Sequence, residues 1–192
     1  MSDLKLYMIL IGYRPKGFNT EQHDVVFRVG KNIEDPAFLA ELRSSIPLPK
    51  SVLVHIDCYS EITQADGYAV SVVRDRDAAK SNNGRKLYYV NLGGYRHGVF
   101  QEYHKSILLV LDDPNDLKKR ALADPFATEM DRDFAADARP HVDDRMKLGV
   151  DVDDHLDVQQ SLDDYYIVLT SNAGGRESIL DPVIKGYMKL EY

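Results

Sequence analysis

The 192-residue chain contains one cysteine, Cys58, and no tryptophan. A single thiol cannot close an internal disulfide, so a reducing compartment is expected, and the cytoplasm is the simplest one. Long apolar runs are also missing. The run at residues 6–11 is too short for a membrane span or a signal-peptide core, and no membrane partner is expected. Basic charge is scarce, with 24 Lys and Arg against 31 Asp and Glu and a formal net charge of -7. Phosphate contacts need clustered Lys and Arg, so no nucleic-acid partner is expected either. There is no Walker loop and no Gly-x-Ser-x-Gly elbow. The glycine pairs at 93–94 and 174–175 lack the strand-glycine-helix setting of a nucleotide site and read as turns.

What is present is an ordinary globular composition, 44% hydrophobic and 29% charged. Such a chain can bury one good core, or two small cores packed together. The acidity is uneven. Residues 112–164 hold sixteen acids and seven bases, a local net of -9 in a chain of -7. A solvated face is the plain account, and a patch for a basic partner or for cations is the sharper one.

In chain order, residues 5–11 are rich in aromatic and branched side chains and stop at Gly12, the pattern of a buried strand. Pro15 and Gly17 break either regular period, and residues 21–29 form a second strand that can return antiparallel. Asp35-Pro36 supplies an N-cap followed by proline at the first helical position, with Phe38, Leu39 and Leu42 as the apolar stripe. Residues 52–57 make a third strand, Asp66-Gly67 a turn, and residues 68–73 a fourth. This is a ββαββ unit, and the polar stretch at 81–84 closes it.

The order then repeats. Sliding the chain by 81 residues sets Lys5, Leu6, Tyr7, Gly12, Gly17, Glu21, His23 and Val29 on Lys86, Leu87, Tyr88, Gly93, Gly98, Glu102, His104 and Val110. Eight identities in twenty-five ungapped positions point to duplication. Helical signals at 116–123 and 130–138 follow. Residues 140–143 match 54–57, and 165–170 match the strand beginning at Tyr68. An acidic insertion at about 145–155 separates them, and the Gly-Tyr-Met-Lys-Leu-Glu-Tyr ending suggests an added strand.

Together these residues resemble bacterial proteins built from one or two copies of domain-of-unknown-function family 1543, here in a two-copy form. The carrying motifs are Lys-Leu-Tyr at 5–7 and 86–88, Gly-x3-Glu-x-His at 17–23 and 98–104, His-Ile-Asp at 55–57 and Asp-Gly-Tyr at 66–68. The second copy departs with Asp163-Asp164-Tyr165 in place of the last motif. As the family's name says, the resemblance implies no activity.

Residues two apart on a strand share a face. Glu21 and His23, His55 and Asp57, Glu102 and His104, and His141 and Asp143 therefore form four matched His-carboxylate pairs, using four of the six histidines. His23, His55, His104 and His141 with the neighbouring carboxylates suit a divalent cofactor such as Zn, Mn, Fe or Ni. The same groups suit acid-base chemistry, and equally a self-satisfied polar network that fixes strand register. With His55-Asp57 ending its strand and Glu21-His23 opening its own, the pairs are expected to meet between copies: Glu21 and His23 with His141 and Asp143, Glu102 and His104 with His55 and Asp57. Cys58 is expected to face away from Asp57 as an inert thiol. Residues 151–157 lack the Gly and Glu that an EF-hand loop needs, so a solvated acidic strand or loop is expected there.

The expected architecture is α+β: two tandem ββαββ repeats related by a pseudo-two-fold in one compact body. Residues 1–80 form the first repeat, 85–172 the second with its acidic insertion, and 173–192 a C-terminal extension. The expected function is a metal- or small-molecule-binding module. The alternatives are a metal-dependent or acid-base enzyme on the same residues, and a non-catalytic interaction protein with an acidic surface. A monomer or a homodimer fits, and the small molecule or protein partner has no signature in the chain.

Overall fold

A computed structural model describes residues 3–96, 98–130, 150–172 and 181–190. His97, His141, Asp143 and residues 145–149 of the expected insertion lie outside the described residues, as does the helical signal beyond Met130. The described chain is a mixed α+β structure with ten strands and three α-helices, and its three sheets are antiparallel.

Contacts divide the chain into two units. One comprises residues up to Asn82 together with Gln159 onward, and the other runs Asn83–Val158. In the first, β1 (Lys5–Tyr13) pairs with β2 (Gln22–Gly30) on one side and β3 (Val54–Glu61) on the other. Both neighbours run antiparallel to β1, so β2 and β3 are parallel to each other with β1 between them. Alternation along β1 puts Tyr7, Ile9 and Ile11 on one face, where Leu42 and Ile46 at α1 (Pro36–Ser45) and its C-cap complete a core with Ile33. The helix starts as its sequence dictates. The Asp35 side chain accepts a 2.9 Å hydrogen bond from the Ala37 amide, and Pro36 holds the first helical position.

Arg43, on the buried side of α1, donates to the carbonyls of Pro49 and Val52 at 3.0 Å. This pins the loop leading into β3, and with it the position of His55. A short β4 (Gln64–Ala65) turns into β5 (Tyr68–Val73) through Asp66 and Gly67, whose φ angles of 47° and 83° are the paired positive values of a two-residue hairpin turn.

In the second unit, β6 (Lys86–Tyr95) pairs with β7 (Glu102–Leu111) and β8 (Val150–Asp157). Tyr88, Val90 and Leu92 point into a core shared with Leu117 of α2 (Leu117–Ala121) and Phe126 of α3 (Phe126–Glu129). The pairing repeats that of β1, β2 and β3. Gly12 faces His23 and Gly93 faces His104; Tyr7 faces Glu61 and Tyr88 faces Asp157. Register slips after Leu10 in one set and after Asn91 in the other, positions that are 81 residues apart.

Two expectations need correction. The strand facing β6 where β3 faces β1 is β8, so residues 150–157 are part of the unit's sheet and the register counterparts of His55 and Asp57 are Asp151 and Asp153. The strand expected to close the second repeat, β9 (Tyr166–Ser171), pairs with β5 of the first unit. The terminal strand does form: β10 (Ile184–Leu190) adds to the outer edge of β3.

Candidate functional site

The site sits on the face of the first sheet opposite α1. His23 on β2 and His55 on β3 are both register partners of Gly12, which lies between them on β1. Alternate strands of a sheet are roughly 9.5 Å apart, so side chains from β2 and β3 normally meet only across the residue in between. Glycine removes that residue's side chain. A Cβ at position 12 would lie 2.5 Å from His55 Nε2 and 2.9 Å from Asp57 Oδ2. The imidazoles and carboxylates of the two outer strands therefore occupy the space above the middle one.

Four side chains converge there. His55 Nε2 lies 3.0 Å from Asp57 Oδ1 and 3.4 Å from Glu21 Oε1. His23 Nε2 lies 3.1 Å from Asp57 Oδ2 and 3.7 Å from Glu21 Oε2. The cluster is graded in depth: the side chain of His55 is 7% exposed, Asp57 27%, and Glu21 and His23 close to half. His55 forms the floor, and the others open to solvent.

The meeting is within the first strand set, which corrects the expectation that Glu21 and His23 find their partners in the other copy. The reason is where β3 starts. It runs Val54–Glu61, so His55 and Asp57 open the strand instead of closing it. In parallel β2 and β3 the opening residues lie at the same end, and the two pairs come together. Asp57 has no counterpart on β1, because Cys58 pairs with Leu10 and Ile56 with Ile11. Asp57 is thus the extra residue of a bulge, a device that re-aims a side chain. The bulge also returns Cys58 to the register of Leu10, on the same face as Gly12, contrary to simple alternation. Burial pushes the Cys58 thiol up, the Asp57 charge adds to this, and Lys185 partly offsets it.

In the second unit, Glu102 Oε2 lies 3.7 Å from His104 Nε2, with both side chains partly open. The backbone of Asp151 stands opposite Gly93 where His55 stands opposite Gly12. Among the described residues, no group of three or more His, Cys, Asp or Glu is arranged as a ready metal cage. In the first cluster the two contacts of Asp57, at 3.0 and 3.1 Å, are at hydrogen-bond distance, and those of Glu21, at 3.4 and 3.7 Å, are longer.

Two residues of the site carried little signal in the sequence. Gly12 was visible only as a repeated glycine, matched by Gly93. Tyr187 lies far along the chain on β10, and its ring lies against the His55 imidazole, with centroids 4.5 Å apart and planes tilted by 35°.

Residues 18–72 match the family model described as Domain of Unknown Function (DUF1543). That segment contains all four clustered side chains and the Asp66-Gly67 turn. No curated protein matches the chain. A solved structure, described as "Crystal structure of a protein Il1583 from Idiomarina loihiensis", is similar over 98% of each chain with a TM-score of 0.62. At 22% identity that likeness is one of fold.

Proposed function

We propose that the chain is a binding module whose first site takes a divalent cation of borderline softness on Glu21, His23, His55 and Asp57. The observation that carries this reading is the convergence of two imidazoles and two carboxylates over Gly12, each Nε2 lying 3.0–3.7 Å from an oxygen of both carboxylates. In a tetrahedral site with bonds of about 2.0–2.2 Å, neighbouring ligand atoms are about 3.3–3.6 Å apart. The observed spacings straddle that range, so small side-chain rotations would exchange the shared protons for an ion. Charge agrees as well, since two carboxylates with two neutral imidazoles balance one divalent cation.

The shared register of the two strand sets and the shared place of their bulges support a tandem duplication. On that reading Glu102 and His104 mark a second, altered site, with Asp151 and Asp153 at the positions of His55 and Asp57. A second reading of the first site is acid-base chemistry. It is favoured by the 3.0 and 3.1 Å approach of Asp57 to the two imidazoles and by the buried His55 Nδ1, which lacks the hydrogen-bond partner that a metal-ligating histidine usually has.

Calorimetric titration of the chelator-treated full chain with Zn2+ separates the two. Binding that is lost in His23→Ala, a partly exposed position where the fold is not at risk, supports the cation site. Absence of both binding heat and thermal stabilisation would leave the acid-base or network reading.

A further inference from the structure

His55 is nearly fully buried, yet its Nδ1 makes no hydrogen bond. Both carboxylates near it face Nε2, which leaves Nδ1 as the ring nitrogen without a partner. Histidines at binding sites are ordinarily held in orientation by a hydrogen bond to the second ring nitrogen. Here that nitrogen offers none, and the ring needs some other restraint. Tyr187 supplies a flat surface 4.5 Å from the imidazole centroid.

Its placement there follows from the register of β10. Between Lys185, which faces Cys58, and Met188, which faces Ile56, β10 has two residues, Gly186 and Tyr187, opposite Asp57 alone. This second irregularity is at the same level as the bulge of β3, and alternation along β10 puts Tyr187 on the face of Lys185 and Lys189, the partners of Cys58 and His55, while Met188 and Leu190 turn to the core. Tyr187 is nevertheless 59% exposed, so burial of its own ring does not account for its position. Anchorage comes from upstream. Asp181, buried at the foot of β10, accepts hydrogen bonds from the Thr63 and Gln64 amides and from the Thr63 hydroxyl.

We infer that Tyr187 is a positioning residue for the cluster: by stacking, its ring fixes the plane in which His55 presents Nε2 to Glu21, Asp57 and a bound cation. This rests on the cation-site reading for its functional meaning, but the positioning itself is measurable without any cation. The ring is what matters, so Tyr187→Phe keeps the function and Tyr187→Ala loses it.

Two readouts test this on the full chain. In the metal-free protein, nitrogen-correlated NMR of the histidine rings reports the His55 tautomer and the ring-current shift of its carbon-bound protons. Tyr187→Ala is expected to move and broaden the His55 signals and to leave those of His104 in place, with Tyr187→Phe close to wild type. Zn2+ titration is expected to show affinity about 10-fold or more weaker for Tyr187→Ala, the usual scale for losing an orienting partner, and unchanged for Tyr187→Phe. The inference is overturned if Tyr187→Ala leaves the His55 signals unmoved, or leaves Zn2+ affinity intact where wild type binds. It is equally overturned if Tyr187→Phe is as damaging as the alanine. Should wild type bind no cation, the NMR arm alone decides the positioning role, and only the functional reading of the cluster is lost.

Discussion

His23 Nε2 stands 3.1 Å from Asp57 Oδ2 although β2 and β3 are not neighbours in the sheet. The contact passes over Gly12, the one point on β1 where both outer strands have a facing histidine. The chemistry of the site thus depends on a missing side chain.

Gly12→Ala follows directly. The new methyl would overlap His55 Nε2 and Asp57 Oδ2, and His55 is too buried to swing clear. A destabilisation of about 1–3 kcal/mol is expected, typical of an overpacked position, together with loss of Zn2+ binding. Urea denaturation and calorimetry check the two halves separately. A variant of wild-type stability that still bound Zn2+ would mean that the cluster tolerates a side chain beneath it.

Alkaline stability should reflect a buried phenol, Tyr7, and a half-buried thiol, Cys58. Burial raises the Tyr7 phenol, with the Glu61 charge adding to it and Lys5 opposing, and burial likewise raises the Cys58 thiol. With folded values above unfolded ones, the unfolded chain loses its protons first, so stability falls as pH rises. The contribution is intact below the ordinary thiol and phenol values, about 8.5 and 10, and is lost on passing upward through the folded ones. Urea midpoints measured from pH 7 to 11 should decline. Tyr7→Phe should flatten the upper part of that decline, and alkylation of Cys58 in the folded protein should be slow until well above the pH at which a free thiol reacts.

The two matched ion pairs should not be worth the same. Lys5–Glu61 and Lys86–Asp157 have equivalent register and nearly equal length, 2.8 and 2.7 Å. Glu61 is over a third exposed, whereas the Asp157 side chain is 7% exposed. Lys86→Met takes the lysine from a buried carboxylate and should cost about 1–2 kcal/mol. Lys5→Met should cost clearly less, as exposed pairs do. Equal losses in thermal melts would show that burial of the acid does not set the difference.

Asp181→Ala removes the acceptor for three donors at Thr63 and Gln64 in a buried setting. A loss of about 2–3 kcal/mol is expected, with faster amide exchange along β10 than along β1. Unchanged exchange on β10 would mean that its pairing to β3 holds it without the anchor.

Much of this was legible in the chain. Asp35-Pro36 marked the helix start, and the apolar run at 5–11 marked a buried strand, because both signals are local. The 81-residue offset located β6 and β7, because pairing within a hairpin depends on nearby turns. The bulge was not legible. Nothing in Val-His-Ile-Asp-Cys-Tyr marks Asp57 as an extra residue, and without it His55 and Asp57 read as the end of a strand. The partner of β9 was hidden for another reason: its alternation states which face is buried but not which edge it joins. Tyr187 was unreadable as a site residue because only the register of β10 brings it to His55.

The pairing of β9 with β5 has a consequence for biosynthesis. As the ribosome emits the chain, the N-terminal strands appear first, but two of the strands they pair with, β9 and β10, come only after residue 165. The continuous segment Asn83–Val158 can collapse while β3 and β5 still wait with an open edge each. The outer edges of β3 and β5 are therefore covered last, and a nascent chain stalled near residue 160 would present them bare to chaperones or to other chains.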